Sequence, residues 1–176
     1  TNRIPLFLDG ARLAYALGCD ANELTLPAIA RLCDAFYIGG TKCGALLGEA
    51  VVFPKQGTVP HFFTIVKQSG ALLAKGRVLG IQFDTLFTDG LYECGGAHAV
   101  RMADRIRAAL IEKGYRLAVD SPTNQIFLAL NPAQLAHLSA HVAMGFWEKQ
   151  DDTTIMRIAT SWATREEDVE RLIAVL

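Results

Sequence analysis

Two charged side chains follow apolar segments at the points where a strand is predicted to end. Asp9 comes directly after the run Ile4–Leu8, and Lys42 follows the run Ala35–Ile38 within a glycine-rich turn. Open α/β sheets bind ligands beyond the carboxyl ends of their strands, so both side chains could take part in one site. Arg12, one helical turn after Asp9, can share its face. Taken singly, an aspartate after a strand is more typical of a helix N-cap, and a lysine in such a turn of a solvated side chain.

A third candidate is an arginine in an apolar strand near the end of the chain. Arg157 lies in the middle of the apolar run Ile155–Ala159, where a guanidinium needs an anionic partner. A carboxylate can accept two parallel hydrogen bonds from it, which makes Arg157 a candidate for binding an acidic group of a ligand. The alternative is an internal salt bridge to an aspartate or a glutamate.

The elements that must position Asp9, Arg12 and Lys42 alternate between strand and helix. Near-continuous apolar runs and turn residues predict strands over Ile4–Leu8, Ala35–Ile38 and Glu49–Phe53, and helices from Asp9 to Gly18 and over Thr25–Cys33. This order predicts an α/β architecture. The first run shows no alternation, which is typical of a strand buried on both faces of a parallel sheet.

The rest of the chain has a different pattern of predicted elements, with a long helical segment followed by short strands. Helical sequence extends from Pro60 to Lys113, with breaks near Gly70 and at Asp89-Gly90. After Gly114 short strands are predicted over Tyr115–Val119, Ile126–Leu130, Met144–Lys149 and Thr154–Thr160, with helices over Pro132–His141 and Glu166–Leu176. This part predicts a small α+β domain with its helices on one face of a mainly antiparallel sheet.

The number of strands in the first part is too small for a complete parallel sheet. Residues 1–60 offer three candidate strands, whereas sheets commonly have about five or six, and parallel ones are covered on both faces. We therefore expect this chain to be the C-terminal part of a larger one, truncated at its N-terminus. The alternative is a complete protein whose first strand joins a sheet in another subunit.

The composition argues against several classes of protein. Of the 176 residues, 51% are hydrophobic and 20% are charged, as in a globular domain rather than a disordered chain. A net charge of −1 gives no indication of a nucleic-acid partner or an anionic membrane, and no apolar stretch approaches the roughly 20 residues of a membrane span. Four cysteines without a C-x-x-C pair favour a reduced, cytoplasmic protein. His137 and His141 have no evident third ligand, so no metal site is predicted.

Two motifs together resemble a known enzyme family. The segment Phe-Leu-Asp-Gly-Ala-Arg at residues 7–12 is followed by Gly-Gly-Thr-Lys-Cys-Gly-Ala at residues 39–45, and residues 156–164 are similar to the family's closing strand and helix. The resemblance runs along essentially the whole chain. It matches the second half of pyridoxal-phosphate enzymes of the aspartate aminotransferase fold (fold type I), in particular the threonine aldolase branch of the β-eliminating lyase family.

The resemblance implies pyridoxal 5'-phosphate as the cofactor and a role for each candidate residue. Lys42 would be the catalytic lysine that carries the cofactor, and Asp9 would pair with the nitrogen of the cofactor ring. Thr41 could contribute a hydroxyl to the cofactor or simply shape the turn. Arg12 would lie among the cofactor-binding residues and bind the carboxylate of the substrate, with help from Arg157.

The resemblance also implies a reaction and an organisation of the chain. The reaction would be the retro-aldol cleavage of a β-hydroxy amino acid, threonine or allo-threonine, to glycine and an aldehyde, in a homodimer or homotetramer. Residues 1–90 would end the large cofactor-binding domain, and residues 91–176 would form the small domain. β-Elimination or transamination on the same scaffold remain alternatives, as does a non-catalytic fragment or binding module. By itself the chain is expected to bind cofactor poorly and to be inactive.

Overall fold

The computed structural model describes residues 4–176, which form two sheets with a separate apolar core beside each. The strands are β1 (Phe7–Leu8), β2 (Ala35–Gly39), β3 (Glu49–Val52), β4 (Arg116–Val119), β5 (Gln125–Leu130), β6 (Gly145–Gln150) and β7 (Thr153–Ala159). The helices are α1 (Leu13–Leu17), α2 (Leu26–Leu32), α3 (Phe62–Gln68), α4 (Arg77–Phe87), α5 (Leu91–Glu112), α6 (Pro132–Ser139) and α7 (Glu166–Ile173). The predicted order of elements is confirmed.

The first sheet has the strand order β1-β2-β3. The sequence predicts a parallel sheet, but only one of its two strand pairs is parallel. β1 runs parallel to β2, but β3 runs antiparallel to β2, with Ile38 opposite Ala50. The reason is the length of the connection. Residues 40–48 form a turn that is too short for a parallel crossover, which needs about a dozen residues or more.

The prediction of a first strand buried on both faces is wrong for the described chain. β1 is an edge strand of only two residues. The side chain of Phe7 in this strand is 60% exposed, and that of Ile4 before it is 77% exposed. Within residues 4–176, β2 is the only strand that pairs with β1, so nothing covers its other edge. The apolar sequence therefore identifies the strand, while within residues 4–176 the second edge of β1 is uncovered.

The second sheet confirms the predicted α+β arrangement. All of its strand pairs are antiparallel, in the order β4-β5-β7-β6. Alternate residues of β5, namely Ile126, Leu128 and Leu130, pack against the helices together with Leu138 of α6 and Val169 of α7. Because these β5 residues share one face, the helices cover that face of the sheet.

Helix α5 belongs to both cores. Tyr92 and Ala99 pack in the first core, whereas Ala103, Ile106 and Leu110 pack in the second. The helix therefore links the two sheets mechanically, and the domain boundary near residue 90 stays a prediction. No helix in the described part of the chain combines the length and the apolar character that a membrane span requires.

The contact between α1 and α5 requires a glycine. A Cβ atom at Gly96 would overlap the backbone carbonyl of Ala14, so the two helices touch backbone to backbone at this point. This contact sets the position of α1, and with it the position of Arg12 immediately before the helix.

We expect Gly96→Ala to destabilise the protein, because the new methyl group must push α1 away from α5. Overpacking of this kind costs about 2 kcal/mol, which lowers Tm by roughly 4–8 °C in a protein of this size. Gly80→Ala is the matched control, since a Cβ at Gly80 in helix α4 meets nothing within 4 Å. That variant should leave Tm unchanged or raise it slightly, because alanine is the better helix former. Equal Tm values for the two variants would contradict the packing argument.

Candidate active site

The carboxyl ends of β1 and β2 lie side by side and bring the segments of Asp9 and Lys42 together. The amide of Gly39 donates to the carbonyl of Gly10 at 2.8 Å. A Cβ at Gly10 would overlap the Tyr37 carbonyl oxygen, and one at Gly39 would come within 2.5 Å of the Gly10 oxygen. Only glycine at both positions permits this approach, which explains why each segment needs one.

Asp9 is not the N-cap of α1, contrary to the simpler interpretation of the sequence. The helix begins at Leu13 with Arg12 in the cap position. The Oδ1 atom of Asp9 instead accepts a hydrogen bond from the Ala11 amide at 3.0 Å and another from the Tyr37 hydroxyl. Within the described chain no donor reaches its Oδ2 atom, so one oxygen of the carboxylate remains available to a ligand.

These hydrogen bonds also set the charge of Asp9. The Tyr37 hydroxyl, followed by the Ala11 amide, lowers the pKa of Asp9 below its ordinary value, and the positive charge of Lys42 lowers it further. The same bond raises the pKa of Tyr37 to about 12, so the phenol remains a donor at neutral pH. Asp9 is thus an ionised carboxylate close enough to Lys42 to be affected by its charge.

Lys42 is held through its backbone while its amine is left free. The hydroxyl of Tyr15 in α1 donates to the carbonyl of Lys42. The side chain of Lys42 is exposed, and its amine forms no ion pair with any of residues 4–176. A fixed backbone with an unpaired amine is what a covalent attachment point needs.

Glu49 anchors the turn that precedes Lys42. The amide of Gly40 and the hydroxyl of Thr41 both donate to the carboxylate of Glu49, the latter at 2.9 Å. The hydroxyl of Thr41 is therefore used within the turn, which fits the interpretation that it shapes this turn. Its contact with a cofactor stays a prediction.

A buried tyrosine that the sequence did not single out connects three elements at the site. The hydroxyl of Tyr92 in α5 accepts from the Ala14 amide at 3.1 Å and donates to the Gly39 carbonyl at 3.0 Å. Burial raises the pKa of Tyr92 well above its ordinary value and that of Tyr15 to about 12, so both hydroxyls stay protonated donors. Their partners are backbone atoms, which leave no pattern in the sequence.

Arg12 and Lys42 line a common cleft between the two sheets, with a volume of about 240 Å³. The remaining lining residues are one tyrosine of α1 and four residues at the adjoining ends of β5 and β7: Tyr15, Asn124, Ala159, Thr160 and Ser161. Pockets that enclose a drug-sized ligand usually measure about 300–1,000 Å³, so these residues form one wall of a site rather than a closed cavity. Asp9 does not line the cleft itself.

Asn124 lines the cleft and is a residue that the sequence did not indicate. Its side chain is 2% exposed, and its Nδ2 atom donates to the Thr160 carbonyl at 2.6 Å. Its Oδ1 atom is buried and has no hydrogen-bond partner among the described residues. The amide therefore joins the ends of β5 and β7 where they border the cleft.

Arg157 lies beside the cleft rather than in its wall. It stands on the same face of β7 as Ala159, which lines the cleft, because residues two apart on a strand point the same way. Its Nη1 atom donates to the Oε1 atom of Gln125 at 3.3 Å. No carboxylate of residues 4–176 lies within ion-pair distance, so the internal salt bridge is not formed there.

His137 in α6 and His141 just after that helix do not form a metal centre with other side chains in the described chain. The rings of His137 and His141 lie 5.4 Å apart, and His137 Nε2 lies 2.9 Å from the carbonyl oxygen of Val175. The described residues contain no group of three metal-binding side chains close enough together to hold an ion.

No protein-family model matches the chain. It is 34% identical over 137 residues to a low specificity L-threonine aldolase of a Pseudomonas species and 33% identical over 140 residues to one of Pseudomonas aeruginosa. These matches cover 76% and 77% of this chain, and 39% of each relative.

Solved structures match over almost the whole chain. A threonine aldolase of Leishmania major superposes with a TM-score of 0.93 at 46% identity, covering 98% of this chain and 51% of that one. A serine palmitoyltransferase of Sphingomonas wittichii superposes with a TM-score of 0.65 at 15% identity, covering 97% and 46%, and shows the shared fold. The chain thus spans between 39% and 51% of the length of these proteins. The chain is a homologue of the threonine aldolases over the part of their length that it covers, and it has the fold of the fold-type-I pyridoxal-phosphate enzymes.

Proposed function

We propose that the protein is a pyridoxal-phosphate-dependent carbon–carbon lyase that cleaves a β-hydroxy amino acid, threonine or allo-threonine, to glycine and an aldehyde. The observation that carries the proposal is the convergence of Lys42 and Arg12 in one cleft, with the ionised Asp9 beside them. The names of the Pseudomonas and Leishmania relatives support the same substrate class.

Asp9 fits the nitrogen of the cofactor ring. Its Oδ1 atom is engaged by Tyr37 and Ala11, while its Oδ2 atom receives no donor from the described residues. The lowered pKa keeps the carboxylate charged at neutral pH, so Asp9 can hold a positively charged N–H through a charge-assisted hydrogen bond. The donor set at this strand end therefore matches the group that the fold implies.

Lys42 fits the attachment point, because its backbone is fixed by Tyr15 and its amine is unpaired within the described chain. When bound, pyridoxal phosphate supplies a ring that accepts the electron pair of the breaking Cα–Cβ bond. Asp9 holds the proton on the ring nitrogen, which maintains the positive charge that this chemistry requires. Lys42 and Asp9 would together hold the ring of the cofactor beside the first sheet.

Arg12 and Arg157 supply the contacts for the substrate carboxylate. Arg12 lines the cleft beside Lys42, and Arg157 stands on the sheet face that continues from the cleft. By holding the carboxylate, the arginines would keep the substrate in one orientation, with Cα–Cβ as the reacting bond in a retro-aldol reaction. The two arginines would thus select the bond that breaks.

The experiment that tests this function is chemical labelling followed by product analysis. The protein is purified at full length, incubated with pyridoxal phosphate, reduced with borohydride and digested for mass spectrometry, and we expect the modified peptide to carry the label on Lys42. A second sample receives threonine or allo-threonine, and we expect glycine and acetaldehyde in equal amounts. An unlabelled Lys42 would contradict the proposal and favour a binding module. A 2-keto acid in place of glycine would indicate β-elimination or transamination on the same scaffold.

We further propose that the protein acts in the cytoplasm as a homodimer or homotetramer. The four cysteines are free thiols, which fits a reducing compartment. Large apolar side chains are exposed at Leu46 and Phe63, and their burial against a second copy would remove them from water. Size-exclusion chromatography with light scattering tests the assembly, and a monomer at micromolar concentration would contradict it.

A further inference from the structure

The guanidinium of Arg157 lies on the second sheet, on the face opposite the one that α6 and α7 cover. Its Cζ atom lies 5.6 Å from the centre of the Trp147 ring, and its Nη1 atom donates to Gln125. Trp147 is itself fixed by an edge-to-face contact with Phe127, with the ring centres 4.9 Å apart. Gly145 pairs with Arg157 across β6 and β7.

One edge of this guanidinium is left open. Nη1 is used by Gln125, whereas the Nε and Nη2 atoms have no hydrogen-bond partner among residues 4–176. A Cβ at Gly145 would lie 3.8 Å from both of these atoms, so the glycine keeps the space beside this edge clear. Two parallel N–H groups on one edge match the two oxygens of a carboxylate.

We propose that Trp147 and Gln125 are positioning residues that present the Nε and Nη2 edge of Arg157 to the substrate carboxylate. This inference rests on the proposed function, which assigns that carboxylate to the arginines. A guanidinium that lies over an indole face is attracted by the electrons of the ring, which restricts the directions in which its N–H groups can point. The hydrogen bond from Nη1 to Gln125 then restricts rotation of the guanidinium. The arginine is thereby ordered before the substrate arrives, which reduces the entropy lost on binding.

The contact with Trp147 also stabilises the charge of Arg157 in place of a salt bridge. Arg157 is partly buried and no described carboxylate pairs with it, so the indole and the amide of Gln125 are its main contacts. An aspartate at position 125 would neutralise the guanidinium and compete with a ligand. A neutral amide and an aromatic ring stabilise the cation and leave its charge available.

The test compares a ligand that has a carboxylate with one that lacks it. Calorimetric titration of the cofactor-loaded protein with glycine and with glycinamide measures binding without turnover. We expect Trp147→Leu to weaken glycine binding about tenfold, with glycinamide unchanged within about twofold. In kinetics the same variant should raise KM for threonine by about the same factor while kcat stays within about twofold. Trp147→Phe, which keeps an aromatic face, should restore most of the affinity for glycine.

Three further variants make the result decisive. Phe146→Leu removes a neighbouring exposed aromatic ring of β6 that does not stack on Arg157, and it should leave glycine binding unchanged. Gln125→Leu tests the other contact if Trp147→Leu folds poorly, and it should weaken glycine binding about threefold. Arg157→Lys should weaken glycine binding at least as much as Trp147→Leu.

The outcomes separate this inference from the proposed function. If Arg157→Lys weakens glycine binding while Trp147→Leu and Gln125→Leu do not, the positioning role is overturned and the carboxylate role of Arg157 stands. If Arg157→Lys has no effect, Arg157 does not bind the carboxylate and the positioning role is overturned with it. Equal losses for glycine and glycinamide in Trp147→Leu would show a structural defect and would also overturn the inference. None of these results alters the labelling of Lys42, which tests the proposed function separately.

Discussion

Replacing Lys42 by alanine is expected to abolish the visible absorbance of the bound cofactor and to reduce threonine cleavage by about 10³-fold or more. Alanine offers no amine to which the cofactor can be attached, so the effect is on chemistry rather than on folding. The Lys42 side chain is exposed and its amine has no ion-pair partner in residues 4–176, so Tm should stay within about 1–2 °C. Absorbance, glycine release and thermal unfolding are measured on the same preparation.

Two matched variants separate attachment from charge. Lys42→Arg keeps the positive charge, but its guanidinium is always protonated and cannot form the covalent bond, so we expect the same loss as in Lys42→Ala. Lys113→Ala removes an exposed lysine that follows α5, and it should retain full activity. Substantial turnover by Lys42→Arg would show that Lys42 contributes only its charge, and the proposed role as attachment point would then be wrong.

The sequence predicts most elements of this fold because their signals are local. The periodicity of α5 and the proline that begins α6 each lie within the element that they specify. The environment of β1 and the direction of β3 depend instead on which strands are present beside them and on the length of residues 40–48. Neither can be derived from the apolar pattern of a strand alone, since a strand exposed at an edge and a buried strand can have the same composition.

The residues of the candidate site likewise differ in whether a local sequence signal identifies them. Asp9 and Lys42 could be placed at one sheet edge, because each follows a recognisable strand and parallel strands end at the same edge. Tyr92 could not, since its hydroxyl bonds the amide of Ala14, 78 positions earlier in the chain. Trp147 is more typical of a core or interface aromatic, and its position over Arg157 depends on the pairing of β6 with β7.

The next largest effect is expected for the partner of the ring nitrogen. Asp9→Asn should reduce the turnover of threonine by about 10²–10³-fold, while Lys42 should still be labelled after borohydride reduction. The amide of asparagine has no charge with which to hold a protonated ring nitrogen, so the ring accepts electrons less readily. Steady-state kinetics with threonine, combined with labelling of the same variant, measures both quantities. Loss of labelling together with turnover would mean that Asp9 is needed for attachment rather than for the ring charge.

Tyr37→Phe is the matched variant, since it removes the hydrogen bond to Asp9 and leaves the carboxylate in place. That bond is the main cause of the lowered pKa of Asp9, so the pKa should rise towards its ordinary value in the variant. A carboxyl with a lowered pKa stays charged to a more acidic pH, so the variant should lose the charge of Asp9 at a higher pH than the parent protein does. Above pH 6 both proteins keep this charge, and their turnover should agree within severalfold. An NMR titration of the carboxyl resonance follows the shift, and a loss in Tyr37→Phe as large as that in Asp9→Asn at pH 7 would show that the phenol, rather than the carboxylate, carries the effect.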